Sequence, residues 1–253
     1  MIGRRRFLGL AAAVVGQSAL GLGSVFAAGE RTRIQLARLR LPGQKGDPRP
    51  GALERLAFEV TLRTSTSMSF KVAQPALGDE ALFHTPFLYL WGDVAFAPWS
   101  EGERRRLRRH LEFGGTLLAD DGSGQPRSGF SDSLEREAKA LFPEAPLKRL
   151  PDEHSVFRSF YLVRSLGGRR IVSPFLEGVT LDDRSPLLLC RNDLGGAWAR
   201  DAGGDWLHEC VPGGENQRQS ALALGVNVVL YALTVNYKQD AIHLPFILQR
   251  MRR

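Results

Sequence analysis

The sequence has little with which to do familiar chemistry. No Gly-x-Ser-x-Gly elbow, Walker loop, Gly-x-Gly-x-x-Gly turn after a strand or His-Glu-x-x-His helix occurs in its 253 residues. The common motif-bearing hydrolases and nucleotide enzymes are therefore disfavoured. There is no internal repeat and no low-complexity segment, and a composition of 43% hydrophobic and 24% charged residues excludes disorder and collagen-like order. Cysteine is scarce, with Cys190 and Cys210 the whole supply. Their spacing to His208 and His243 matches no established zinc set. Two alternatives stay open for the pair: a disulfide stapling a long loop to a strand end in an oxidising compartment, or two unpaired buried thiols.

What is present begins with an address. Arg4, Arg5 and Arg6 precede Phe7-Leu8, a weakly apolar run follows to Leu22, and small residues close it at Ala27-Ala28. Two arginines, any residue, then Phe-Leu is the twin-arginine export pattern. An uncleaved membrane anchor is the competing reading, but Gly9, Gly16, Gln17, Ser18, Gly21 and Gly23 make the stretch a poor one. No cysteine follows the cleavage region, which argues against lipid attachment. The expected plan is a signal peptide over 1–28, one α/β domain over 29–240 and a basic C-terminal tail over 241–253. The expected location is periplasmic or secreted, with no integral span after cleavage. The formal charge of +7 includes the three signal arginines, so the remainder requires no nucleic-acid partner.

Along the mature chain, strands and helices alternate. Ile34 to Leu41 predicts an opening strand, Ala52 to Arg63 an amphipathic helix through Leu53, Leu56, Ala57 and Val60, and Met68 to Val72 a second strand. Phe87 to Trp91 is apolar throughout, as befits the middle of a parallel sheet. Ser100 and Glu103 form a capping-box pattern ahead of a helix to about Phe113, and Thr116 to Ala119 predicts the next buried strand. Asp132 and Glu135 suggest the cap of another helix, Leu187 to Cys190 a later strand, and Ser220 to Thr234 a strongly apolar helix. Alternation of this kind predicts a three-layer α/β sandwich.

Ligands of open parallel sheets bind where the loops after the strands part. That rule selects Asp93, Asp120, Asp121, Asn192 and Asp193, with His154 in the loop Pro151-Asp152-Glu153-His154. Converging on one crevice, these side chains would make a ligand-binding site. Asp120, Asp121 and Asp193 would be its candidate metal ligands, and His154 a candidate base or further ligand. The competing reading is structural, because Asp and Asn after strands cap helices and close turns. The run Arg104 to Arg109 draws attention as a phosphate or nucleic-acid patch, yet Glu101, Glu103 and Glu112 balance it, and a solvated helix face is expected.

Several stretches, in order, carry a resemblance. Thr85 to Gly92, Gly114 to Asp121, Asp152 to Phe157, Leu176 to Val179 with Asp183-Arg184, Asn192 to Trp198, and Gly225 to Asn227 with Tyr231 to Leu233 together resemble the bacterial domain-of-unknown-function family 4159. The resemblance implies a mainly parallel flavodoxin-like sheet related to the class I glutamine amidotransferase scaffold. Catalytic members of that scaffold carry a cysteine on a glycine-rich turn after a strand. Here the comparable strand end offers Asp120-Asp121-Gly122, and Cys190 is followed by Arg191-Asn192. The family implies no cofactor and no activity, and it associates its members with cell-envelope proteins, MoxR-type ATPases and von Willebrand A-like proteins. The expected function is a non-catalytic ligand- or partner-binding module of the bacterial envelope. The alternative is a metal-assisted hydrolase of an envelope ester, amide or glycan.

Overall fold

The computed structural model describes residues 33–41, 44 and 46–251, with side chains described through Thr234. The expected signal peptide lies outside these residues, as do the side chain of His243 and the last two arginines. From Gln35 onward the chain forms one compact unit.

Six strands form a single mixed sheet in the order β1-β2-β3-β6-β5-β4. They are β1 (Ala37–Leu39), β2 (Phe87–Gly92), β3 (Thr116–Asp121), β4 (Lys148–Arg149), β5 (Glu177–Leu181) and β6 (Arg184–Cys190). The first four in that order run parallel, and β5 runs antiparallel to both its neighbours. Every residue of β2, β3 and β6 is buried, which is why Phe87 to Trp91, Leu117 to Ala119 and Leu187 to Cys190 read as continuous apolar runs rather than alternating ones. Leu88, Leu90, Leu117, Ala119, Leu187 and Leu189 share one core cluster with Leu107, Leu111, Leu134 and Leu141. Those last four residues belong to α2 (Glu101–Glu112) and α3 (Gly129–Leu141). A second group of helices, α1 (Ala52–Arg63), α4 (Leu194–Trp198) and α5 (Gly214–Met251), packs together.

The structure adjusts several boundaries. The opening strand keeps only three residues, and no strand forms over Met68 to Val72. There the Ser69 hydroxyl takes up the Lys71 amide, a local bond that competes with a ladder, and only Ala73 bridges β1. Ser100 caps α2 through the expected capping box. The cap of α3 is Ser128 with Ser131, not Asp132 with Glu135, so the helix starts earlier. β3 runs on through Asp120 and Asp121, which places both carboxylates inside the strand. The final helix is much longer than the apolar stretch that announced it, and it continues as one helix into the residues read as a tail. Cys190 and Cys210 are both buried free thiols.

Part of the arginine run on α2 is tied down, while Arg105 and Arg109 are exposed. Arg104 donates twice to Glu137 of α3, at 2.8 and 3.1 Å, and Glu137 is fully buried. Arg108 reaches Glu112, Glu144 and the Leu141 carbonyl. Replacing Arg104 by alanine strips the buried Glu137 of its two-pronged partner, leaving the half-exposed Arg136 as its remaining cation. A loss of about 2 kcal/mol is expected for Arg104→Ala in a denaturant melt. The same change at Arg105, whose side chain is 71% exposed, should cost less than about 0.5 kcal/mol.

Candidate functional site

The residues after β2, β3 and β6 meet at the carboxyl end of the parallel strands, and Asp193 is their centre. It sits where β6 turns into α4, with left-handed backbone angles of φ 53° and ψ 66°. Aspartate tolerates that region better than most residues. Its side chain caps α4 by accepting from the Gly196 amide at 3.0 Å. Both oxygens are then gripped from outside the turn. Arg49 donates from Nε to one oxygen at 2.9 Å and from Nη2 to the other at 2.7 Å. Trp91 adds its indole N–H at 3.0 Å, and Arg169 donates through Nε. The Arg49 guanidinium also lies over the Trp91 ring, 4.4 Å from its centre, adding a cation–π contact.

Asp120 stands beside this grip and is likewise fully buried. It accepts the Tyr89 hydroxyl at 2.6 Å and the backbone amides of Leu194 and Gly195 at 2.8 and 2.7 Å. Two carboxylates thus take up the three consecutive amides of the first turn of α4. The glycines of Leu194-Gly195-Gly196 are what let them approach. A Cβ on Gly195 would stand 2.1 Å from the Tyr89 oxygen, and one on Gly196 would stand 2.3 Å from Oδ2 of Asp193.

Electrostatics separates the pair. Burial pushes Asp193 upward, but the Arg49 hydrogen bonds and charge, with Arg169 and Trp91, outweigh it and hold the carboxyl below its ordinary value. Asp120 has no cation of its own. Burial and then the charge of Asp193 push it up to about 7, against the pull of the amides and Tyr89. His208 is held below its ordinary value by burial and by the guanidiniums of Arg49 and Arg169. Its Nε2 is buried with no hydrogen-bond partner.

The other residues selected from sequence have separate occupations. Asp121 is buried, and it accepts the Ser123 amide at 2.9 Å and the Ser128 hydroxyl, which ties the loop after β3 to the cap of α3. Asn192 is buried too. It accepts the amides of Val172 and Ser173 and donates to the Ser173 carbonyl, pinning that segment to the end of β6. Asp93 is exposed. His154 is placed away from the carboxylates. Its Nδ1 accepts the Val156 amide, and its Nε2 lies 3.1 Å from the Ser185 hydroxyl, at the start of β6, while Asp193 follows the end of that strand. Burial lowers the His154 pKa. The structure therefore brings Asp120 and Asp193 together, sets Asp121 and Asn192 beside them in structural bonds, and leaves Asp93 and His154 apart.

A divalent ion needs carboxylate oxygens with lone pairs to spare. Each oxygen of Asp120 and Asp193 already accepts hydrogen bonds, and two guanidiniums occupy the space around Asp193. This donor set does not fit a metal. Among the described residues, no group of three His, Cys, Asp or Glu side chains is placed to hold one. Sequence reasoning missed Arg49, Arg169, Trp91 and Tyr89, and it weighed His208 only as a zinc ligand. The one local signal was the double glycine after Asp193, since the arginine partner lies 144 positions away.

Two outcomes are expected. Asp193→Ala leaves two guanidiniums and an indole facing a vacated, buried position, and should lower stability by about 3–5 kcal/mol in a denaturant melt. For Asp120 the sign follows from its raised value. The folded state holds a proton that the unfolded state has released, so this contribution is largest in acid and is lost as pH rises through about 7. His110, His154 and His208, held below their ordinary value, slope the other way, so the informative quantity is a difference. The Tm of the wild type minus that of Asp120→Asn should fall between about pH 4 and about pH 7 and level off above it. A difference that is flat or rising across that range would refute the assignment.

No curated protein matches the chain. A family model does match, over residues 35–233, and its description is Domain of unknown function (DUF4159). That span contains all six strands, the Arg49–Asp193 grip and the Asp120 clasp, and it places the chain in the DUF4159 family.

Proposed function

We propose that the chain is an exported, non-catalytic partner-binding module of the bacterial cell envelope, built on a three-layer, flavodoxin-like sheet. The order of the parallel strands supports the sheet assignment, together with the Ala73 bridge beside β1 and the two separate groups of helices. The observation that carries the functional reading is the state of Asp193. In the glutamine amidotransferase scaffold, a turn of this kind from strand into helix presents a nucleophile. Here the side chain at the left-handed turn is a carboxylate, fully buried and spent on two arginines, an indole and a backbone amide. A group so engaged is neither a nucleophile nor a base. The same saturation weighs against the metal-assisted hydrolase.

A surface suited to a partner lies over α1. Phe58, Leu62 and Phe70 are 41%, 66% and 49% exposed, and the rings of Phe58 and Phe70 lie 6.3 Å apart. Arg55 covers Phe58 on one side and reaches Trp206 on the other, and Trp206 is also faced by Arg200, 3.3 Å from its ring centre. Aromatic rings and arginines held in place by one another are the composition of interface hot spots. Among the described residues, no helix is long and apolar enough to cross a membrane.

The test uses a photocrosslinking side chain introduced in cells at Leu62 or Phe70, with Phe113, 70% exposed on the far side of the sheet, as control. A discrete heavier adduct from the α1 face and none from Phe113 is expected. The purified chain should turn over no ester, amide or glycan substrate. Turnover that disappears in Asp120→Asn would overturn the proposal.

A further inference from the structure

The aromatic face over α1 continues onto a second segment of the chain. Arg63, in the last turn of α1, lies over the Tyr161 ring, 5.9 Å from its centre. Tyr161 belongs to a loop closed at its base, where the Val163 amide donates to the Phe157 carbonyl at 2.8 Å. Asn227 of α5 holds the middle of this loop. It accepts the Phe160 and Tyr161 amides at 3.2 and 2.7 Å and donates to the Tyr161 carbonyl at 2.8 Å. The loop leaves Phe160 and Leu162 exposed, and the Phe160 and Tyr161 rings meet edge-on at 4.8 Å. The apolar side chains of α1 and those of the loop are thus linked through Arg63.

The charge of these segments is of one sign. No Asp or Glu occurs between Val60 and Gly78, or between His154 and Leu176. Within them Lys71, Arg158 and Arg164 are exposed and, among the described residues, make no ion pair. Lys71 follows Phe70 in the chain, and Arg158 and Arg164 bracket the loop. Glu59 of α1 is 1% exposed and is shared by Arg55 and Arg63, so that trio leaves one positive charge over. Carboxylates return at Glu215, which Arg218 and Gln219 take up, and at Asp201 and Asp205 in the turn leading to Trp206.

Exposed rings interleaved with unpaired cations favour a partner that is apolar and negative together. Resting on the partner-binding reading above, we propose that this surface receives an acidic segment of a partner protein, one that carries carboxylates among leucine or aromatic side chains. Its apolar side chains cover Phe58, Leu62 and Phe160, and its carboxylates reach Lys71, Arg158 and Arg164. A basic segment would meet three cations without counter-charge, and a wholly polar acidic one would leave the rings in water. A protein segment is favoured over anionic lipid because the rings are fixed against one another, Phe58 against Phe70 and Phe160 against Tyr161. A fixed pattern of rings and charges matches a shaped surface, which a fluid bilayer does not present.

The probe is a fluorescently labelled helical peptide of Glu, Leu and Phe, with a counterpart in which every Glu is Lys, and the readout is anisotropy with the purified mature chain. The acidic peptide is expected to bind, and to weaken at least tenfold between about 50 mM and about 500 mM salt. The basic one should not bind. Lys71→Glu, Arg158→Glu and Arg164→Glu together should weaken the acidic peptide at least tenfold. The same reversal at Arg105, Arg109 and Lys139, exposed on α2 and α3, should leave it within about twofold. No binding of the acidic peptide, equal binding of both peptides, equal loss in the two triple variants, or binding to phosphatidylglycerol vesicles in place of the peptide would each overturn the proposal. Crosslinking from Leu62 separates it from the broader reading. An adduct at full yield in the Lys71, Arg158 and Arg164 reversal overturns the acidic partner and leaves partner binding standing, whereas no adduct in the unaltered chain overturns both.

Discussion

The structure hangs on a carboxylate held by two arginines. Asp193 turns β6 into α4 in a backbone region that costs free energy to occupy. That conformation persists because Arg49, Arg169 and Trp91 fix the side chain, while Asp120 and the glycines fix the turn itself. Each partner comes from a different part of the chain: the loop before α1, the end of β2, the loop before β5 and the end of β3. One side chain thereby aligns the carboxyl ends of the central strands.

Such an arrangement changes what the end of a parallel sheet is for. Where an open parallel sheet can leave a crevice at the carboxyl ends of its strands, this chain fills the space with its own guanidinium and indole, the Arg49 guanidinium lying over Trp91. Polar residues that catalysis would need at liberty are committed to holding the backbone. Exposed aromatic surface lies elsewhere, on the outward face of α1, where Phe58 and Phe70 meet.

Much of this was legible in the sequence, and the exceptions have physical reasons. The helix from Ala52 to Arg63, the capping box at Ser100 and the strands from Phe87, Thr116 and Leu187 follow from local patterns, because burial on both faces and capping are written in adjacent residues. The short strands β4 and β5 left no such trace: Lys148 and Arg149 are exposed and β5 is only partly buried. The cap of α3 was misassigned because Ser128 and Ser131 compete with a nearby Asp and Glu of the same spacing. At the strand ends the residue types were picked out, but their roles were not. Whether an aspartate binds a metal or an arginine depends on partners from distant segments, and Arg49 in its proline-flanked loop shows no sign of its destination. His154 shared a composition with the carboxylates but not a location, since the chain turns back to the start of β6 before reaching it.

The span of the Arg49–Asp193 bond has a kinetic meaning as well. Its two ends are separated by 144 positions, so it cannot close until most of the unit has been synthesised. Contacts of such long reach slow folding. While the ribosome is still short of residue 193, the first strands can pair, but the arginine meant to secure the turn has nothing to grasp. Chains that stop short of residue 193 therefore lack the bond that secures the carboxyl end of the sheet.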